Sequence, residues 1–240
     1  MKPVNDFVAA VRFLTRVPLP ASLSGAGFGA AAFPIVGLLI GAAALVADAI
    51  TGALPLGVRN VAILGVWAIL TGAIHYDGLA DTLDGFGAAN REERLRVMRD
   101  AAVGVFAVLG LVLVVGAELA ALGELEGSAR TQALLATPAL GRWAMVLTGV
   151  GARSARDEGL GAAFAREVSA IDASVATLVT IVSVTIIAGR AGWLACLLVA
   201  MGAGGMRRIA TSAFGGVTGD VLGASGVMFE TLALAFFAAR

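Results

Sequence analysis

Three aspartates, Asp77, Asp81 and Asp84, follow the chain's single histidine, His75, in the stretch HYDGLADTLDG. On a helix, positions 77, 81 and 84 fall within about 60° of one another, so three carboxylates project from one face within two turns. Like charges that close repel, and burial raises the cost. A divalent cation removes the difficulty: an all-oxygen ligand set suits Mg²⁺ or Mn²⁺, and Mg²⁺ commonly completes its shell with water and substrate phosphates. Gly78, Gly85 and Gly87 permit close backbone approach. Asp100 closes an arginine-rich run with Arg91, Arg94, Arg96 and Arg99, whose guanidinium groups suit phosphate oxygens. The plain alternative is a solvated loop with i,i+3 and i,i+4 pairs in REERLRVMRD. Three acids on one face of a charge-poor chain favour a site.

Two further stretches carry similar chemistry. ARSARDEGLGAAF places Arg153, Arg156, Asp157 and Glu158 before two glycines, and RRIATSAFGGVTGDVLGA sets Arg207 and Arg208 ahead of a glycine-rich turn at Asp220. A glycine-rich turn leading into a helix exposes backbone N–H groups suited to phosphate. A lone histidine at a span end is more often a packing or hydrogen-bonding residue than a base, so His75 stands as a weaker catalytic candidate. Acids for a metal and arginines for phosphates, set in a membrane protein, suggest phosphoryl transfer to an alcohol, in which the protein mainly positions groups and neutralises charge.

The elements that must position these residues are greasy. Of 240 residues, 59% are hydrophobic and 14% charged, and the mean hydropathy is +0.92. A soluble domain would carry roughly a quarter charged residues. The reading is all-α: a single polytopic helical bundle over 1–240 with about seven membrane spans (six to eight), preceded by an N-terminal interfacial amphipathic helix within 1–20. The gaps between charges place the spans at 30–50, 59–76, 101–122, 131–152, 172–189, 191–206 and 220–239, the fifth and sixth joined by a tight turn at GRAG. Gly37 and Gly41 offer a small-residue face for helix packing. Arg142 and Glu230 fall about halfway across and are a candidate intramembrane pair, while Asp48 and Glu118 lie near the outer ends of their spans and read as interfacial. Zero net charge argues against nucleic acid, and one cysteine and one histidine exclude a disulfide framework and a multi-histidine zinc site. With the N-terminus in the cytoplasm, twelve Lys/Arg residues fall inside and four outside. That orientation puts the segments 77–100, 153–171 and 207–220 together at the cytoplasmic face. The sequence leaves the oligomeric state open.

The strings FPIVGLLIG, HYDGLADTLDG, RLRVMRD, ARDEGLG and GGVTGDVLGA occur in the order and spacing of the cobalamin synthase family, the adenosylcobinamide-GDP ribazoletransferases, which the chain resembles from FLTRVPLP to Glu230. The resemblance implies a Mg²⁺-dependent, multi-pass inner-membrane transferase in late vitamin B12 synthesis. It would join α-ribazole, or α-ribazole 5′-phosphate, to adenosylcobinamide-GDP with release of GMP. It assigns Mg²⁺ binding, or Mn²⁺ in its place, to Asp77, Asp81 and Asp84. Completion of the site or the base role falls to Asp100 or Asp220, phosphate clamping to Arg99, Arg156 and Arg207, and orientation of an aspartate or phosphate to His75. The chain departs from the family in having Ala101 and Ala102 where relatives often carry a Ser-Arg-like pair. A CDP-alcohol phosphotransferase is the nearest rival, but DGLAD does not fit the D-G-x-x-A-R motif of those enzymes. A transporter is the second rival, yet the acids gather at one end and no internal repeat is evident.

Overall fold

The computed structural model describes residues 2–20, 23 and 27–240. They form ten α-helices and a short 3-10 turn at Ala30–Ala32, with no strand among the described residues beyond one isolated bridge between Ser154 and Val217. The helices are α1 (Lys2–Leu14), α2 (Phe33–Ile50), α3 (Leu56–Thr71), α4 (Ile74–Gly87), α5 (Arg91–Val97), α6 (Val105–Glu124), α7 (Gly127–Gly149), α8 (Leu160–Glu167), α9 (Ala170–Phe214) and α10 (Gly219–Ala238). Among the described residues four helices are long and apolar enough to cross a membrane: α2 with the turn before it, α6, α9 and α10. The α3–α4 pair, bent by 90°, brings the number to five if counted as one span.

Helix α7 is the axis of the bundle. It is buried on nearly every side and packs against α2, α9 and α10. Its 23 residues span about 34 Å, long enough for a crossing, although Arg130, Gln132 and Arg142 dilute its apolar character. Gly37 and Gly41 of α2 face it: a Cβ at Gly41 would lie 2.6 Å from the Leu134 carbonyl oxygen, so only glycine allows this approach. Helix α9 folds back on itself at Gly189 (φ 56°, ψ −133°), a conformation open to little but glycine. The return packs Gly192 against the Val184 backbone, which a straight helix could not do, so GRAG makes the tight turn.

Two boundaries differ from the sequence reading. The stretch 59–76 is not one helix: the chain breaks at Gly72 and Ala73, both in the left-handed region (φ 64° and 54°). Helix α1 ends at Leu14, ahead of Pro18 and Pro20, and its apolar face is part of the core: Val8, Ala10, Val11 and Leu14 are buried, and Phe13 stacks on Phe33.

Candidate active site

Helix α4 runs antiparallel to α6 and α10. Gly78 meets Asp220, His75 meets Gly223 and Leu83 meets Gly110. A Cβ at Gly78 would stand 2.8 Å from the Asp220 carbonyl oxygen, so this glycine sets how close the two helices come. Because Gly78 is level with the first turn of α10, Asp81 and Asp84 project beyond the end of that helix, at the mouth of the bundle rather than within it. There Asp77, Asp81 and Asp84 line one cleft of about 260 Å³ with Met98, Arg99 and Asp100. The loop after α5 thus brings Arg99 and Asp100 against the acidic face of α4.

The aspartates in this cleft are not equivalent. Asp84 is committed: its Oδ2 accepts the Gly104 amide at 2.6 Å and its Oδ1 the Ala107 amide at 2.8 Å. It therefore caps the first turn of α6, whose own N-cap residue, Gly104, has no side chain to do so. Asp100 Oδ1 accepts the Ala102 amide at 3.1 Å, shaping the turn that holds the two alanines. Asp81 is pushed up to about 6, first by burial, then by the charges of Asp220, Asp77 and Asp84, against the pull of Arg156.

The second and third charged loops meet beside this cleft. Val217 donates its amide to the Arg153 carbonyl at 2.8 Å, and Ala155 returns a bond to Val217 at 3.1 Å. That bridge sets Arg156 beside Asp220, Nη1 to Oδ2 at 3.4 Å, while Nη2 donates to the Leu95 carbonyl at 3.1 Å. Burial holds the Arg156 guanidinium below its ordinary value, with Asp220 opposing and nearby Arg99 adding to the shift. A smaller cleft of about 190 Å³ lies between the starts of α8 and α10, walled by Arg156, Gly159, Gly161, Thr218 and Asp220.

The other arginines divide by their bonds. Arg207 donates to the Val150 and Gly151 carbonyls just past the end of α7, so its guanidinium is engaged away from the acids. Arg91 donates to the Phe214 and Ala155 carbonyls and Arg94 to the Ala88 and Ala213 carbonyls, fastening α5 to the end of α9; Arg96 pairs with Glu93. Of the run after α4, only Arg99 both lines the acidic cleft and is exposed. His75 is buried against Gly223 and Gly226, and its Nδ1 has no protein partner.

A model of the cobalamin-5-phosphate synthase family matches residues 6–238. The chain belongs to that family. It is 36% identical over 96% of its length to a Klebsiella pneumoniae (strain 342) protein named adenosylcobinamide-GDP ribazoletransferase, of which it covers 98%. Relatives of the same name in Roseiflexus sp. (strain RS-1) and Clostridium tetani (strain Massachusetts / E88) are 37% and 29% identical, over 97% and 100% of this chain and 89% and 98% of theirs. No solved structure matches the chain.

In this cobalamin-5-phosphate synthase family member, two buried polar groupings escape a reading of the sequence. Glu118 is buried among the helices rather than exposed: it is 1% exposed, and its two oxygens accept the Tyr76 hydroxyl at 2.8 Å and the Thr231 hydroxyl at 2.7 Å. Asp48 is likewise engaged, accepting from Arg59 and from Arg130 (2.8 Å), while Arg130 also donates to Asn60 at 2.7 Å. The only advance signal was the cost of leaving such groups in lipid without partners. Deeper in the bundle, Arg142 Nη1 donates to Glu230 Oε2 at 2.7 Å.

The donor chemistry of the acidic cleft suits a hard cation, since its donors are carboxylate oxygens and burial, together with the neighbouring carboxylates, raises Asp81. Among the described residues no three His, Cys, Asp or Glu side chains form a ready metal cage. The fit is therefore to a cation held by one or two carboxylates and otherwise by water and phosphate, the usual pattern for Mg²⁺.

Proposed function

We propose that the protein joins α-ribazole, or α-ribazole 5′-phosphate, to adenosylcobinamide-GDP, releasing GMP and forming adenosylcobalamin or its 5′-phosphate. The observation that carries this reading is the union, in a chain of this family, of one acidic cleft with Arg99 and Arg156. A ribose hydroxyl of the ribazole attacks the phosphorus joined to cobinamide. The new P–O bond forms as the P–O bond to GMP breaks, and the hydroxyl proton passes to a carboxylate, Asp220 or Asp100. Asp77 and Asp81 are the groups with free oxygens to hold Mg²⁺, or Mn²⁺ in its place, and Asp84 fixes the loop opposite them. When bound, the cation neutralises phosphate charge and screens the carboxylates from one another. Arg99 and Arg156 hold the diphosphate, and the α8 and α10 amino termini add oriented N–H groups. His75 acts from below, seating α4 on α10 beside Asp77.

The protein is, on this reading, a seven-span protein of the bacterial inner membrane. The spans are α2, α3 with the start of α4, α6, α7, the two halves of α9, and α10, so that Asp81 and Asp84 lie past the membrane. Helix α1 lies along the cytoplasmic interface with its apolar face on the bundle. The positive-inside bias supports placing the acidic cleft in the cytoplasm. The deciding experiment is GMP release by purified protein given both substrates, with and without Mg²⁺. Asp81→Ala abolishes release while the protein stays inserted and folded; normal turnover in that variant ends the assignment.

A further inference from the structure

The acidic face of α4 needs more than a helix to aim it. Helix α4 follows a 90° bend through Gly72 and Ala73, the latter a non-glycine residue at positive φ, so it does not inherit its rotation from α3. Contacts along its own length must set which way Asp77, Asp81 and Asp84 point. At its far end Asp84 grips the α6 amides. Along its α10 side the contacts are apolar, glycine packing at Gly78 and Gly223 and Leu79 against Ala224 and Val227, which fix distance and bury a face but include no side-chain hydrogen bond to hold the rotation sharply. The directional contact near its start is the Tyr76 hydroxyl on Glu118 Oε2, with Thr231 on Oε1. Tyr76 immediately precedes Asp77, and neighbours on a helix differ by about 100°, so fixing the azimuth of one fixes the other. Glu118 lies in a span where an acid is costly, and it joins three helices through both oxygens.

We propose that Tyr76, Glu118 and Thr231 form a positioning clamp that sets the rotation of α4 and so the cation affinity of the acidic cleft. This rests on the metal-site reading above. None of the three touches substrate; they act through Asp77 and Asp81.

The test is a double-mutant cycle on the full-length protein in detergent, with Tyr76→Phe, Glu118→Leu and the pair. Two quantities are read: Mn²⁺ binding without substrate, from the electron paramagnetic resonance signal of free Mn²⁺, and the Mg²⁺ dependence of GMP release. Tyr76→Phe keeps the ring and removes only the hydroxyl. It is expected to weaken Mn²⁺ binding about ten-fold, the effect of one hydrogen bond to a charged group. Glu118→Leu does the same, and the double variant is no worse than either alone. A merely structural tie would lower the folded fraction and leave the Mn²⁺ affinity of the remainder unchanged; that result overturns the clamp, as do additive losses. Asp81→Ala is the control: if it binds Mn²⁺ as the parent does, the metal reading fails. The clamp is then judged by GMP release alone, and parental kcat and KM in Tyr76→Phe refute it.

Discussion

Asp81 and Asp84 sit one helical turn apart on the same face, yet replacing them by alanine should move stability in opposite directions. Asp84→Ala leaves the Gly104 and Ala107 amides at the start of α6 without their acceptors, bonds now 2.6 and 2.8 Å long. Hydrogen bonds to a charged group contribute about 1.5–3 kcal/mol each, and a lost helix cap costs about 0.5–2 kcal/mol. Because the site is half-buried and water can replace part of the loss, about 2 kcal/mol is the expected cost. For a chain of this size that is a fall of roughly 4–8 °C in Tm. Some relief of repulsion offsets it, but Asp84 ranks behind burial, Asp220 and Asp77 among the influences that raise Asp81. Asp81→Ala does the reverse: it removes a carboxylate that burial and three like charges disfavour and that makes no hydrogen bond to lose, so the metal-free protein should melt higher while GMP release disappears. Gly104→Ala is an independent check, since its Cβ would stand 2.6 Å from Asp84 Oδ1 and displace the cap without altering any carboxylate. The assay is thermal unfolding of metal-free protein in detergent beside GMP release. Parental melting of Asp84→Ala, or a fall for Asp81→Ala equal to it, refutes the division into a structural and a chemical aspartate.

Three further outcomes follow from the same geometry. Asp81 has a folded-state value near 6 against an ordinary 3.8, so the folded protein binds more protons than the unfolded chain across that interval. The stability Asp81 confers is complete below about pH 4 and lost as pH rises through 6, so metal-free protein should melt higher at pH 5 than at pH 7, with that increment absent in Asp81→Asn. Arg142→Leu strands the buried Glu230 carboxylate and should cost about 3–5 kcal/mol, read as lost folded yield or a lower Tm, whereas Arg142→Leu with Glu230→Leu should recover most of it. Arg99→Ala should depress GMP release with Tm unchanged, because Arg99 is exposed in the cleft; Arg207→Ala should lower Tm, because it abandons two carbonyls at the end of α7.

Periodicity made the acidic face of α4 legible: residues at 77, 81 and 84 share a side whatever the surrounding fold, and they do line one cleft. Hydropathy likewise placed α2, α6 and α10 within a few residues. The break at Gly72 and Ala73 was hidden because alanine gives no local sign of positive φ; the strain is imposed by packing. Side-chain commitments were hidden for a related reason. Charge alone cannot tell an arginine that awaits phosphate from one that fastens a helix end, and Arg91, Arg94 and Arg207 prove to be fasteners. The partners of Glu118 and Asp48 were hidden because they lie far along the chain: Thr231 is 113 residues from Glu118, and Arg130 is 82 from Asp48.

Those distant partnerships explain why a chain so poor in charge keeps charges at depth. Between helices in lipid the hydrophobic effect supplies little attraction, so close packing and polar contacts set which helices meet and in what register. Here the polar contacts form tiers. Asp48, Arg59, Arg130 and Asn60 lock α2, α3 and α7 at the end opposite the acids. Glu118 with Tyr76 and Thr231, and Arg142 with Glu230, lock α4, α6, α7 and α10 within the bundle. Asp84 and Arg156 tie down the loops at the mouth. A buried ion pair is weak evidence for net stability, but it penalises every wrong register heavily, because each misaligned neighbour leaves a charge unpaired. Register is what the proposed chemistry requires: on that reading, carboxylates from α4 and α10 and arginines from two loops converge on one phosphorus atom. The apolar surface can then face lipid with few further demands, while the loops that carry Arg99 and Arg156 are anchored by Asp84 and by the Arg156 bonds to Asp220 and the Leu95 carbonyl.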